Sequence, residues 1–323
     1  MKFNIKVSSI LLVMFLATQL IGLLIIHADI FHIEKEINGQ TQTINNPHLT
    51  FIQPPNVTTH QDSFGMLGNL VIAFIVAIIL MFILSKFKIE FLLRIWFLVV
   101  VYMALFLAFY AIGKLITQNN TSIYLIIIPA LIALPLAIIK IYKKIFVLHN
   151  ITEFLIYPGI ATVFVPILNI YTVIILLILI SIYDMWAVWR SGIMQKMAKY
   201  QINKLKIFAG FIVPYADSKT RQKIKELKQK LKQKKLTQKQ LAKRKIKVQI
   251  AILGGGDIIF PIITAGVVMN TYGIIPALFV TLGSLLGLGY LLFIASKKKW
   301  YPAMPFITTG CLLGMLIGWA LQI

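Results

Sequence analysis

Long apolar runs alternate with short polar segments along the 323 residues of this chain. Each run is about 20 residues long, which is enough to cross ~30 Å of hydrocarbon as an α-helix. The pattern predicts membrane-spanning helices at residues 8–28, 67–85, 91–115, 122–139, 151–168, 171–190, 248–269, 274–294 and 302–321. We therefore predict an all-α polytopic fold with nine transmembrane helices. The chain is expected to be a multi-pass integral membrane protein, in the cell membrane if its source is prokaryotic.

The composition agrees with this class of protein. Hydrophobic residues make up 59% of the chain and charged residues only 13%, which is too little charge to cover a soluble domain of this size. The first apolar run, Ile10 to Ile26, is longer than the core of a signal peptide and lacks a small-residue cleavage site. We interpret it as a retained first helix.

Charge sets the predicted orientation. Lysine and arginine collect in alternate loops and above all between Arg190 and Lys247, whereas the first intervening loop is acidic. The positive-inside rule then places the N-terminus inside and the C-terminus outside. The net charge of +22 is thus expected to bind anionic lipid headgroups, and nucleic-acid binding is disfavoured because no recognition module accompanies it.

One membrane domain is predicted, in three parts: residues 1–190 with helices one to six, a basic cytoplasmic loop at 191–247, and residues 248–323 with helices seven to nine. Within the loop, Ile224, Leu227 and Leu231 share one helical face. A basic amphipathic helix on the membrane surface and a solvated linker both fit this pattern.

Two carboxyl groups lie well inside apolar runs, Asp184 in the sixth and Asp257 in the seventh. A carboxyl group at that depth costs several kcal/mol, so each is a functional hypothesis, although a protonated Asp bonded to a neighbouring helix is the structural alternative. Glu90 and Glu153 are placed at helix ends, where we expect them to reach water.

The two aspartates have similar predicted depths. Asp184 lies six residues before Arg190 and Asp257 nine residues after Val248, which correspond to roughly 9 and 13 Å from the same membrane face. Two carboxyl groups that meet in a low dielectric share one proton. In that state one activates water and the other donates to a carbonyl oxygen, which is aspartic protease chemistry.

Helix-breaking residues surround these positions. Gly254, Gly255 and Gly256 precede Asp257, and they allow a second backbone to approach and to pair as an added strand. The segment Tyr301–Pro305 supplies a second irregular stretch before the last span. Close helix packing and helix initiation are the simpler explanations of the two clusters.

Three motifs together resemble the presenilin and signal peptide peptidase superfamily of intramembrane aspartyl proteases. They are Tyr183-Asp184, Gly254-Gly255-Gly256-Asp257 and Pro302-Ala303-Met304-Pro305, which are similar to its Tyr-Asp, Gly-x-Gly-Asp and Pro-Ala-Leu motifs in order and in placement on spans six, seven and nine. Met304 stands where the family has leucine, a volume-conserving exchange. The predicted orientation matches the presenilin branch, and the Gly-Asp-Ile-Ile-Phe-Pro sequence is closer to its stand-alone microbial, archaeal-type members.

The resemblance implies a presenilin-like fold and a GxGD-type aspartic endopeptidase without metal or cofactor. It implies that Asp184 and Asp257 are the catalytic pair and that substrates are transmembrane helices whose N-termini lie outside. It implies active-site shaping or substrate docking by Pro302, Ala303 and Met304. We predict the same role for Pro305, Gly254 and Gly255, and for Tyr183 and Gly256 as motif neighbours. Homo-oligomers, accessory subunits and self-cleavage of the basic loop are left open.

Other functions were weighed against the same residues. No His-Glu-x-x-His or Gly-x-Ser-x-Gly motif indicates a zinc or serine protease. A transporter or cation leak channel would also use paired aspartates and broken helices, but it would not explain the third motif. A catalytically silent scaffold is the third reading. The spacing of Gly283/Gly287, Gly310/Gly314 and Gly314/Gly318 predicts close packing of the last two helices.

Overall fold

The structure, a computed structural model, describes residues 5–37, 40–55, 59–86, 90–117, 122–143, 145–191, 209–215, 249–294 and 301–321. Within these ranges the long helices are α1 Ile5–His27, α2 His60–Lys86, α3 Glu90–Thr117, α4 Tyr124–Tyr142, α5 Phe146–Phe164, α6 Ile170–Trp186, α7 Gly255–Tyr272, α8 Ile274–Ile294 and α9 Met304–Ala320. This confirms the predicted all-α polytopic fold. The predicted amphipathic helix around Ile224, Leu227 and Leu231 lies outside the described residues.

Six of the described helices are long and apolar enough to cross a membrane, namely α1, α3, α4, α5, α6 and α8. Large aliphatic side chains point outward along them, for example Val13, Leu131 and Leu286, each about two-thirds exposed or more. Exposed side chains of this kind are stable in hydrocarbon and would not be in water. The chain is therefore a multi-pass integral membrane protein.

Two antiparallel hairpins add to the helices. Strands β1 (His32–Ile37) and β2 (Gln40–Asn45) form one of them, and β3 (Gly210–Tyr215) and β4 (Gln249–Gly254) form the other. The sequence analysis predicted helix from residue 248, whereas β4 occupies that position and α7 begins only at Gly255. Consecutive glycines have low helix propensity, so they delay the start of the helix.

Prolines lie within three of the helices: Pro129 and Pro135 in α4, Pro158 in α5 and Pro261 in α7. Membrane helices tolerate proline where neighbouring helices, hydroxyl side chains or small local adjustments satisfy the freed backbone carbonyls. Helix α5 also starts five residues earlier than predicted, at Phe146. That shift moves a set of polar residues from the expected helix end into the body of α5.

Helices α8 and α9 pack at very close range. A Cβ atom added at Gly283 would run into the backbone of Gly310, and one at Gly314 would run into the backbone of Phe279. The predicted role of these glycines in helix packing is confirmed. Because α9 also packs on α6, the α8–α9 pair forms a rigid wall beside the carboxyl end of α6.

Candidate active site

Asp184 is held by the first turn of α9. Its carboxyl group is buried near the end of α6, with the residue 8% exposed. The Asp184 Oδ2 atom accepts a hydrogen bond of 3.0 Å from the backbone N–H of Met304, and the amide of Ala303 is turned toward the same carboxyl group. The first N–H groups of a helix have no partner within that helix, so they bind an acidic side chain well.

A second polar contact joins the same two helices one turn further into the membrane. Ser181 Oγ lies 2.7 Å from Thr308 Oγ1, and both hydroxyls are buried. Ser181 precedes Asp184 by three residues and Thr308 follows Met304 by four, so the two contacts stack along the α6–α9 interface. Together they fix the height and rotation of Asp184.

The last predicted motif thus reaches Asp184 through its backbone. Met304 is 3% exposed and packs into the core next to the carboxyl group it binds. Pro302 is buried and precedes the helix, while Pro305 occupies its second position, where a missing N–H is tolerated. This segment is therefore a rigid start to α9.

Asp257 lies where strand β4 is followed directly by helix α7. It is the third residue of α7, and its half-buried carboxyl group turns back over the end of β4. A Cβ atom added at Gly254 would lie only 3.2 Å from Asp257 Oδ2. Helix α7 packs against α6. Asp184 and Asp257 therefore occupy the ends of two contacting helices that flank the basic loop.

The β3–β4 hairpin leads directly to Asp257. Its register pairs Ile212 with Ile252 and Gly210 with Gly254. The Ile212 N–H donates to Asn150 Oδ1 at 3.1 Å, and Asn150 Nδ2 donates to the Ile212 carbonyl at 2.9 Å. Asn150 of α5 thereby takes both polar groups of Ile212 on the outer edge of β3.

His149, which is also in α5, contacts the next residue of β3 whose backbone groups face outward, Gly210. His149 Nε2 lies 2.9 Å from the Gly210 carbonyl, so Nε2 carries the hydrogen and donates it. Antiparallel pairing alternates, so the residues opposite Gly210 and Ile212 point their N–H and C=O groups away from β3. On β4 these are Gly254, Ile252 and, two residues earlier, Ile250, and they define the outer edge of β4.

The three glycines before Asp257 have distinct surroundings. A Cβ atom at Gly255 would lie 2.9 Å from Tyr157 Cε1, whereas one at Gly256 would meet only Phe260, at 3.7 Å. Gly256 is exposed. Gly255 is therefore required by a close contact with α5, and Gly256 leaves open space beside Asp257.

Glu153 is not at a helix end, and the expectation that it reaches water is wrong. It is 1% exposed, two turns into α5, and pairs with Lys140 of α4 at 2.6 Å. Lys140 Nζ also lies 3.3 Å from His149 Nδ1, so this nitrogen accepts while Nε2 donates to the hairpin. The error came from the predicted start of α5, which is five residues too late.

Sequence reasoning also missed Gln19 of α1. Its fully buried side chain donates from Nε2 to the Ile258 carbonyl at 3.0 Å, one residue after Asp257. A glutamine in the middle of an apolar run was the available signal, because an unpaired amide is costly in hydrocarbon. The contact ties the start of α7 to α1.

Tyr183 is placed away from these contacts. Its ring meets Phe74 of α2 edge-on, with ring centroids 6.2 Å apart, and it lies 6.3 Å from Trp186 on its own helix.

Among the described residues, no three His, Cys, Asp or Glu side chains form a group that could hold a metal ion. The structure thus joins Asp184 with Ala303 and Met304, and Asp257 with Gly254.

Comparison with known proteins is consistent with this arrangement. The sequence model of a family described as "Signal-peptide peptidase, presenilin aspartyl protease" matches residues 50–322. No curated protein matches the chain in sequence.

Two solved structures share the fold. One is a presenilin family intramembrane aspartate protease in space group C222, with a TM-score of 0.59, 18% identity and coverage of 97% of this chain and 99% of that chain. The other is a presenilin family intramembrane aspartate protease in space group P2, with a TM-score of 0.55, 18% identity and 96% coverage of both chains. Since the family model spans well over half of the chain, this protein belongs to the signal-peptide peptidase and presenilin family of aspartyl proteases.

Proposed function

We propose that Asp184 and Asp257 are the catalytic pair with which this intramembrane aspartyl protease hydrolyses peptide bonds in transmembrane helices. The pair holds one proton. Its ionised member takes a proton from the attacking water, while the neutral member donates to the carbonyl oxygen of the scissile bond. The proton count returns to its starting value after each turnover, so no cofactor is needed.

The observation that carries this proposal is the backbone bond from Met304 to Asp184. A backbone N–H can only donate, so Oδ2 of Asp184 accepts from Met304, and the remaining lone pairs of the carboxyl group can meet water or Asp257. Such a fixed donor at a helix N-terminus holds the carboxyl group in one orientation. That contact supports assigning the Pro302–Pro305 segment to the proposed active site.

The second support for the proposal is the outer edge of β4. Asn150 and His149 block the outer edge of β3, whereas Ile250, Ile252 and Gly254 direct their backbone groups away from the hairpin. A substrate helix has no free backbone groups until it unwinds, and an unwound segment can pair with a strand edge. Paired with β4, it would run past Gly254 to the Asp257 carboxyl group.

The proposed substrates are single membrane-spanning helices whose N-termini lie outside, which rests on the predicted orientation. Docking residues are Ala303 and Met304 beside Asp184, and Gly254 at the edge of β4, while Gly255 and Gly256 shape the site around Asp257. The transporter alternative receives no support from the family match.

The direct test is cleavage of a single-span substrate by purified protein in detergent, with the products identified by mass spectrometry. We expect the wild type to cut within the hydrophobic segment and the variants Asp184→Ala and Asp257→Ala to leave it intact. A correctly folded wild type that leaves several such substrates intact would contradict the proposal. Cation flux into liposomes that depends on both aspartates, without proteolysis, would favour the transporter.

The strand-edge step has its own test in Ile252→Pro. This change removes an N–H that points away from β3, so it preserves the hairpin while deleting one donor to the substrate. We expect KM to rise about tenfold, the value of one net hydrogen bond, with a smaller change in kcat. Ile252→Val keeps the N–H and is the matched control. An unchanged KM in the proline variant would exclude pairing on this edge.

A further inference from the structure

The strongest unexplained group near the site is the hydroxyl of Tyr157. Tyr157 lies in α5, is 3% exposed, and its hydroxyl oxygen makes no hydrogen bond of good geometry to any described residue. A buried hydroxyl without a partner costs about 1–3 kcal/mol in a protein interior. Phenylalanine would fill the same space without that cost, so the hydroxyl needs an explanation beyond packing.

Its position places the hydroxyl against the start of α7. A Cβ atom added at Gly255 would lie 3.1 Å from the hydroxyl oxygen, so Gly255 is the residue that lets the phenol approach the backbone. The hydroxyl lies within electrostatic range of the Asp257 carboxyl group, two residues further on. Glu153, one turn earlier on the same helix, is the stronger electrostatic neighbour and is within reach as a hydrogen-bond acceptor.

The ring of Tyr157 is fixed from the other side. It packs edge-on against Phe211 of β3, with ring centroids 6.0 Å apart at 78°, and Phe211 in turn packs against Phe154 at 4.8 Å. The ring therefore cannot swing away from α7 without opening the core. Packing explains the position of the ring, but it does not explain the direction in which the hydroxyl points.

Of the two acidic groups around the hydroxyl, Glu153 is held in place by other side chains. Glu153 is anchored by Lys140 at 2.6 Å, with Thr152 and His149 on the same ammonium group. Because a phenol donates readily to a carboxylate, the hydroxyl has two acceptors to choose between, and only Asp257 belongs to the site. Hydrogen bonds in an active site without substrate are often long and shorten when substrate binds.

We propose that Tyr157 is a positioning residue for Asp257: its hydroxyl donates a hydrogen bond to the Asp257 carboxyl group during turnover and holds it in the hydrolytic orientation. This inference rests on the proposed function. It adds a third polar side chain, supplied by α5, to the two aspartates of α6 and α7. It also gives Gly255 a purpose, which is to admit the phenol rather than the substrate.

The test is the variant Tyr157→Phe, which keeps the ring and deletes only the hydroxyl. We expect kcat to fall about tenfold with KM unchanged, as for the loss of one hydrogen bond to a reacting group. We expect the thermal midpoint in detergent to stay the same or rise, since the buried hydroxyl makes no hydrogen bond of good geometry in the fold. The acidic limb of the pH–rate profile should move to higher pH, because Asp257 loses a donor to its ionised form.

The matched control is Tyr124→Phe, the same chemical change at a residue that is 66% exposed at the start of α4. It should leave kcat, the thermal midpoint and the pH–rate profile unchanged. The inference is overturned if Tyr157→Phe turns over at the wild-type rate, if its pH–rate profile coincides with that of the wild type, or if its activity falls only together with its thermal midpoint. Failure of the wild type to cleave would instead overturn the proposed function.

Discussion

The two regions that present the predicted catalytic carboxyl groups are built in different ways. Asp184 lies between two regular helices, where the N–H of Met304 and the Ser181–Thr308 contact fix it. Asp257 lies where a strand becomes a helix, next to glycines that expose backbone. Asp184 is thus fixed by contacts between packed helices, while Asp257 lies next to the outer edge of β4.

This difference suggests that the two regions have different roles when substrate binds. The rigid region needs no adjustment when substrate arrives, because its hydrogen bonds are already made within the protein. In the proposed mechanism the glycine region accepts the substrate backbone, and the register of the hairpin leaves the backbone groups of Ile250, Ile252 and Gly254 facing outward for it. Substitutions should therefore act through stability on the Asp184 side and through substrate on the Asp257 side.

The largest effect is expected from removing the carboxyl groups of Asp184 and Asp257, and it tests whether they act as a pair. Asp184→Ala and Asp257→Ala should each lower kcat by at least about a thousandfold, and the double variant should be no worse than either, because residues that act together are not additive. Rates of substrate cleavage by the three variants check this. Asp62→Ala in the first turn of α2 is the control and should keep full activity. Independent, multiplying effects would mean that the carboxyl groups do not work as a pair.

A smaller effect is expected on the rigid side from Met304→Ala. Emptying the volume of this buried side chain should cost about 2 kcal/mol of unfolding free energy and allow the start of α9 to shift. A hydrogen bond to a charged group is worth about 2 kcal/mol, so losing the Met304 N–H bond to Asp184 corresponds to about thirtyfold slower turnover. Met304→Leu keeps the volume and should retain nearly full activity. Thermal unfolding in detergent and cleavage rates measure both, and equal behaviour of the two variants would refute the role of this contact.

The glycine side offers a matched pair. Gly255→Ala places a methyl group 2.9 Å from the Tyr157 ring, so we expect about a tenfold loss of kcat/KM as one of them moves. Gly256→Ala has space, since its nearest neighbour is 3.7 Å away, and should be close to wild type. Cleavage assays under identical conditions compare them. A stronger defect in Gly256→Ala would show that substrate, rather than Tyr157, requires the small residues.

The smallest effect is expected from the second contact of the rigid wall. Thr308→Val removes one buried hydrogen bond with Ser181 while keeping the shape, and interhelical bonds in membranes average about 0.6 kcal/mol. We expect a thermal midpoint lower by roughly 2 °C and less than a threefold change in kcat. Thr309→Val, on the exposed side of the same helix, is the control. A loss as large as that of Met304→Ala would mean that the two contacts cannot be separated.

Much of the Asp184 region could be predicted from the chain alone, and less of the Asp257 region. A buried aspartate in an apolar run and a proline-flanked helix start are local patterns, so both motifs could be recognised. The direct bond between them links residues 120 positions apart, and no periodicity reports such a partner. The β4 strand was predicted as helix because its apolar residues also fit a membrane span.

Helix α5 shows the same limit in another form. Its residue Glu153 was predicted to lie at a helix end, since charged groups usually lie near water. In the fold, Lys140 neutralises Glu153, and the hairpin uses His149 and Asn150. These partners offset the cost of burying the polar side chains, and each partner comes from another segment of the chain.

The sequence by itself determined the membrane class, the helical architecture and the two candidate carboxyl groups, because hydropathy and the cost of a buried charge are properties of single residues and short runs. The tertiary structure decided which groups each carboxyl meets: the amide of Met304 for Asp184, and the end of β4 with Tyr157 close by for Asp257. Those meetings depend on how distant helices pack, since hydrogen bonds form only at contact distance and packing alone brings the partners together.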